Sequence, residues 1–248
     1  MNSIAMDPES NTQAAELRPG SWSPKYVWLL IVLAFSVEFV LLTALYPINA
    51  LGQIGTHFGT DQVAWIPAAL TLGGAVLGPL IGKIADKYGK KKILVIVLAF
   101  GVVGMVISAF APTFLILLAG RVIQAPVMAV GFIVPSIVRD VFPSKLVAFA
   151  VVATSGGASF ISVIAQLLTG TVIENLGYQG TFWLPAVVGA VVFVLVLVSV
   201  PDSNVRDTTS KIDVTGAMLL GGGVGVILLG VSFGHPGAGP RPGCSSPS

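Results

Sequence analysis

Charge is what this sequence has least of. Its 13 lysines and arginines and 11 aspartates and glutamates make up 10% of 248 residues, whereas 54% are hydrophobic and the mean hydropathy is +0.92. A soluble core of this size needs a charged shell that these residues cannot supply. The single cysteine, Cys244, excludes an internal disulfide framework. The net charge of +2 offers no basic surface for nucleic acid. With only two histidines, His57 and His235, both outside the apolar runs, there is no metal-ligand cluster. No serine has a credible base beside it, so an enzyme is not expected and no cofactor is implied.

What is present is a series of apolar runs, each near the roughly 20 residues that cross a bilayer as a helix. Seven are found, at 26–47, 63–82, 93–111, 114–138, 147–172, 181–200 and 213–233. Residues 1–25 read as a disordered polar tail, 26–200 as a six-span unit, 201–212 as a linker, 213–234 as a seventh span and 235–248 as an irregular tail. The first run is too long, too far inside the chain and too acidic, with Glu38, for a cleavable signal.

The few charges are unevenly placed. Eleven of the thirteen cations lie before span 1 or in the connections 2–3, 4–5 and 6–7. That places those loops and the N-terminus in the cytoplasm, in a bacterial inner membrane with lipid as the solvent. Five of these lysines fall in "GKIADKYGKKK", around one aspartate, Asp86. A carboxylate at a helix C-terminus opposes the helix dipole, so Asp86 calls for water, a cation or another helix's N-terminus. Gly82 permits close helix approach and Gly89 a tight reversal, which makes the segment a structured hinge. Eighty-eight residues on, Gly170, Glu174 and Gly177 repeat the register of Gly82, Asp86 and Gly89, and Pro135 that of Pro47. An offset of three spans puts these marks on opposite faces of the membrane, as in the inverted repeats of secondary transporters.

At these residues the chain resembles the major facilitator superfamily, whose 2–3 loop pattern is matched by Gly82, Asp86, Lys87, Gly89, Lys90 and Lys91. The resemblance implies an all-α membrane protein: a six-helix N-terminal half of 3+3 inverted repeats, followed here by a seventh transmembrane helix. It also implies that this loop governs the switch between inward- and outward-facing states.

Two charges lie well inside the spans. Glu38, in span 1, is costly to ionise when buried, which suits a group that takes up a proton on one side and releases it on the other. The alternatives are a polar contact between helices or a helix shifted toward the interface. Arg121, in span 4, cannot readily discharge and needs an anion, a carbonyl or a water-filled cavity, or else snorkels to the near interface. "EFVLLTALYP" resembles span 1 of the fourteen-span drug/proton antiporter branch, and Arg121 with Gln124 resembles its Arg-x-x-Gln-Gly pattern, with Ala125 in place of the glycine. That implies proton coupling by Glu38 and Arg121. Where antiporters carry a Gly/Pro pattern in span 5, Ala165, Gln166 and Thr169 stand instead, which leaves the direction of transport open. Gln124, Gln166 and Tyr46 are candidate cavity residues; Tyr46, Phe132 and Trp183 are candidate walls, with packing as the commoner use of such aromatics.

The expectation is therefore proton-coupled efflux of an amphipathic organic solute or drug by one half of such a transporter. The chain reads as truncated after span 7 and in need of a second half or self-association. The alternatives are a non-transporting membrane remnant or interaction protein, and a symporter for another solute.

Overall fold

The computed structural model describes residues 24–201, together with 216 and 223. Seven α-helices are assigned: α1 Pro24–Leu45, α2 Leu51–Phe58, α3 Trp65–Tyr88, α4 Lys90–Ala109, α5 Phe114–Gln124, α6 Val130–Val141 and α7 Ser144–Ser199. Short 3-10 turns, Tyr46–Ala50, Gln62–Ala64 and Ala125–Ala129, precede α2, α3 and α6. The expected span 1, 26–47, is α1 and the start of the elbow, and the expected loop 48–62 instead carries the short helix α2; span 4 is α5, an elbow and α6. Spans 5 and 6 are the two limbs of α7, which is broken at Gly177 (φ 64°, ψ −168°). The expected seventh span, the linker beyond Pro201 and both tails lie outside the described residues, apart from Gly216 and Gly223.

Local chemistry sets these limits. Both main elbows carry proline at their start, Pro47 and Pro126, and proline lacks the N–H that would continue an α-helix. Phe142 and Val200 end α6 and α7 in extended backbone because each precedes a proline, which disfavours the helical region. Thr113 caps α5 by accepting from the Ile116 N–H at 3.4 Å. Gly89 (φ 111°) makes the reversal between α3 and α4, a backbone that side chains rarely adopt. Gly89 and Gly177 are therefore both breaks, in the 88-residue register read from the sequence. Pro47 and Pro135 are not equivalent: one opens a 3-10 elbow, the other lies inside α6.

The helices pack into one bundle with two apolar clusters along its length. The first, at the lysine-rich end, gathers Leu33 and Phe39 of α1, Leu94 and Leu98 of α4, Val130 and Val134 of α6, and Val192 and Val196 of α7. The second, toward the opposite end, gathers Ile54, Ile66, Met105, Leu117 and Phe182. Phe39 fits between α4 and α7 only because Gly101 and Gly189 lack side chains; a Cβ on Gly101 would come 2.7 Å from its ring. Trp28 donates its indole N–H to Ser199 at 2.9 Å, joining the start of α1 to the end of α7. Between the two clusters runs a layer of buried polar side chains.

Candidate functional site

Arg121 anchors that layer. It is fully buried in the last turn of α5 and belongs to neither apolar cluster. Its Nη1 donates to the Thr43 carbonyl at 2.8 Å and to Gln124 Oε1 at 2.8 Å, and its Nε donates to the Ile66 carbonyl at 3.2 Å. The Thr43 carbonyl is available because its helical partner would be the N–H of residue 47, and residue 47 is proline. The elbow of span 1 thus creates the acceptor that the arginine uses. The guanidinium also sits 6.0 Å from the Phe182 ring centroid, a cation–π distance. No carboxylate neutralises it among the described residues. Its Nη2 and the Gln124 Nε2 are left as buried donors without a partner.

Glu38 is the layer's opposite charge. It lies five residues before Thr43, about 7.5 Å along the helix axis at 1.5 Å per residue. It is 1% exposed, and neither carboxyl oxygen has a partner in hydrogen-bond geometry. The polar side chain facing it is Ser162 of α7, whose hydroxyl is itself unpaired. A buried acid and a buried guanidinium, not paired with each other, thus both lie inside the bundle. Burying such groups without pairing them costs stability.

The candidate cavity residues are engaged in hydrogen bonds within the bundle. Tyr46 is buried and donates to the Ala165 carbonyl at 2.6 Å. Gln166 accepts from the Asn49 side chain, and Gln124 accepts from Arg121. Phe132 is half exposed and covers Gly78 and Gly82, where a Cβ on Gly82 would lie 3.1 Å from Phe132 Cβ. Trp183 packs edge-on against Phe110 with centroids 4.9 Å apart.

The hinge segment forms a second polar site at the lysine-rich end. Lys90, the first residue of α4, is 6% exposed and pairs with Asp140 of α6 and, at 3.5 Å, with Asp86 of α3. Ser136 donates to Asp86 at 3.1 Å. Each charged member opposes its own helix dipole, with a cation at an N-terminus and carboxylates at two C-termini, so each gains by pairing with the others. Lys87 lies over the Tyr88 ring at 5.7 Å. Lys91 follows Lys90 on α4 with no ion pair among the described residues. Ser136 and Asp140 are not marked by the sequence pattern; their i,i+4 spacing on one face of span 4 is the signal that points to them.

Comparison with known proteins agrees with this architecture. The Major Facilitator Superfamily model matches residues 27–232. A triacylglyceride transporter of Mycolicibacterium hassiacum is 29% identical over 71% of this chain and 33% of its own length. A uridine/deoxyuridine transporter of Lactococcus lactis is 26% identical over 84% and 44%, and a lincomycin resistance protein of Bacillus subtilis 31% identical over 75% and 38%. The fold resembles that of the human organic anion transporter MFSD10, with TM-score 0.61 and 16% identity over 80% of this chain and 54% of that one. The chain thus spans between a third and under half of the length of these curated relatives.

Proposed function

The chain belongs to the major facilitator superfamily, a family of multi-pass membrane transporters and not enzymes, and from that premise we propose that it forms the N-terminal half of a proton-coupled exporter of an amphipathic organic solute. Glu38 carries the proton, Arg121 modulates its release, and the Asp86–Lys90–Asp140 cluster is the conformational hinge. The lysine-rich end faces the cytoplasm of a bacterial cell. The observation that carries this reading is the pair of buried, mutually unneutralised charges, Glu38 on α1 and Arg121 on α5. Proton loading at Glu38 would remove the cost of its buried charge, and deprotonation would leave a carboxylate facing a layer that already contains a guanidinium.

The three curated relatives carry names for a lipid, a nucleoside and an antibiotic, so the family does not fix the solute. The relative named for lincomycin resistance supports efflux as the proposed direction. Rocking of two halves about a midplane site is the way such folds alternate access, so transport requires a second half or a second copy of this chain.

The test is reconstitution into proteoliposomes with an imposed pH gradient, using lincomycin and a lipophilic dye as probe solutes. Wild-type chain should give gradient-dependent solute movement that Glu38→Gln abolishes. Movement equal to that of empty vesicles in both preparations would defeat the proposal in favour of a non-transporting membrane protein.

A further inference from the structure

The first limb of α7 meets α1 along one stripe. Its buried residues, Ala150, Thr154, Ala158, Ser162 and Thr169, recur at intervals of four and seven, the spacing of a single helix face. On that face the polar residues form a seam with the end of α1 and its elbow. Tyr46 donates to the Ala165 carbonyl, Asn49 donates to Gln166, and Thr169 donates to the Ala165 carbonyl at 3.3 Å and to Gln166 Oε1 at 3.5 Å. These span 5 residues are the ones that replace the Gly/Pro pattern of antiporters. One turn before Gln166 on the same face stands Ser162, buried and, like the Glu38 carboxyl of α1, without a hydrogen-bond partner.

We infer that Ser162 is the hydrogen-bond partner through which Glu38 holds its proton, and that Tyr46, Asn49, Gln166 and Thr169 are positioning residues that fix the register of α7 against α1 so that this hydroxyl faces the carboxyl. The inference rests on Glu38 being the proton carrier. A hydroxyl suits the position because it is both donor and acceptor. It accepts from the protonated acid and donates to the carboxylate, so one side chain serves both states. A serine within a helix ordinarily bonds back to a carbonyl one turn earlier, as Ser36 does to Val32 at 2.9 Å. Ser162 makes no such bond, and its hydroxyl remains available. Tyr46 and Arg121, the other ionisable side chains of the layer, are engaged with Ala165 and with Thr43, Ile66 and Gln124.

Infrared difference spectroscopy of the full chain in lipid tests this without requiring transport. At acidic pH, the difference between wild type and Glu38→Gln isolates the carbonyl stretch of protonated Glu38. Ser162→Ala should move that band to higher wavenumber, and Ser162→Thr, which keeps the hydroxyl, should leave it near its wild-type position. Tyr46→Phe combined with Asn49→Ala should move it in the same direction as Ser162→Ala while leaving Ser162 in place. A band unmoved by Ser162→Ala, or unmoved by the Tyr46/Asn49 pair, would overturn the inference. A band that shifts as stated in a chain that moves no solute would leave the hydrogen bond standing and count against proton-coupled transport alone.

Discussion

At the residue scale, Arg121 shows how a permanent cation is kept inside an apolar bundle. Two backbone carbonyls and one amide oxygen accept from it, and an aromatic face lies beside it. Its planar fork reaches α1, α3 and its own helix together, which a flexible ammonium cannot do. Arg121→Lys should therefore lower stability by about 1–3 kcal/mol, the range for leaving buried acceptors unpaired. Thermal unfolding in detergent measures this, and a melting temperature equal to wild type would show that the contacts are dispensable. The need of Arg121 for a carbonyl is legible in the sequence from its inability to discharge. Which carbonyl it uses is not: Pro47 orphans the Thr43 oxygen, but other prolines within the spans orphan carbonyls as well. The Ile66 contact is not legible either, because it depends on how α3 lies across α5, a tertiary fact with no local mark.

At the scale of elements, the proposed hinge joins three helix ends through one lysine. Lys90 and Asp140 are both largely buried, with side chains 7% and 12% exposed, whereas the Asp86 side chain is 39% exposed. Close, sheltered pairs couple by about 0.5–3 kcal/mol in double-mutant cycles, and exposed ones by about 0–1 kcal/mol. A cycle on Lys90→Ala and Asp140→Ala should thus give the larger coupling and one on Lys90→Ala and Asp86→Ala the smaller. The reverse order would assign the hinge to Asp86, the residue the sequence singles out. Glu174 echoes Asp86 in the repeat register but is exposed, and among the described residues no cation pairs with it. Glu174→Gln should change stability by no more than about 0.5 kcal/mol, as at other exposed positions, in the same unfolding assay.

The apolar cores of spans 1 to 6 and the reversal at Gly89 are readable, because hydropathy and glycine act locally; the helix ends are not, since α3 runs on to Tyr88 and α7 continues through the expected loop 173–180 except at Gly177. The elbows and the Asn49–Gln166 contact are also less readable. Pro47 and Pro135 share a register, yet only Pro47 starts an elbow, and the elbow of span 4 begins at Pro126 instead. A proline within a membrane helix either bends it or is absorbed, and its neighbours decide which.

At the scale of the whole molecule, two apolar clusters enclose a polar layer that contains one acid and one base without direct pairing. This arrangement sacrifices stability unless the groups exchange partners during a cycle. Removing the acid should then stabilise the resting chain: Glu38→Gln is expected to unfold at a higher temperature than wild type at neutral pH, because the amide carries no charge into the buried site. A lower unfolding temperature would make Glu38 a structural contact.

The measurement that addresses proton coupling most directly is proton release on solute binding, followed with a pH-sensitive dye in weakly buffered detergent solution. Addition of a solute that the reconstituted chain transports should release protons from wild type and none from Glu38→Gln, while both bind the solute. Solute binding without proton release from wild type, or equal release from both proteins, would contradict the assignment of Glu38 as the proton carrier.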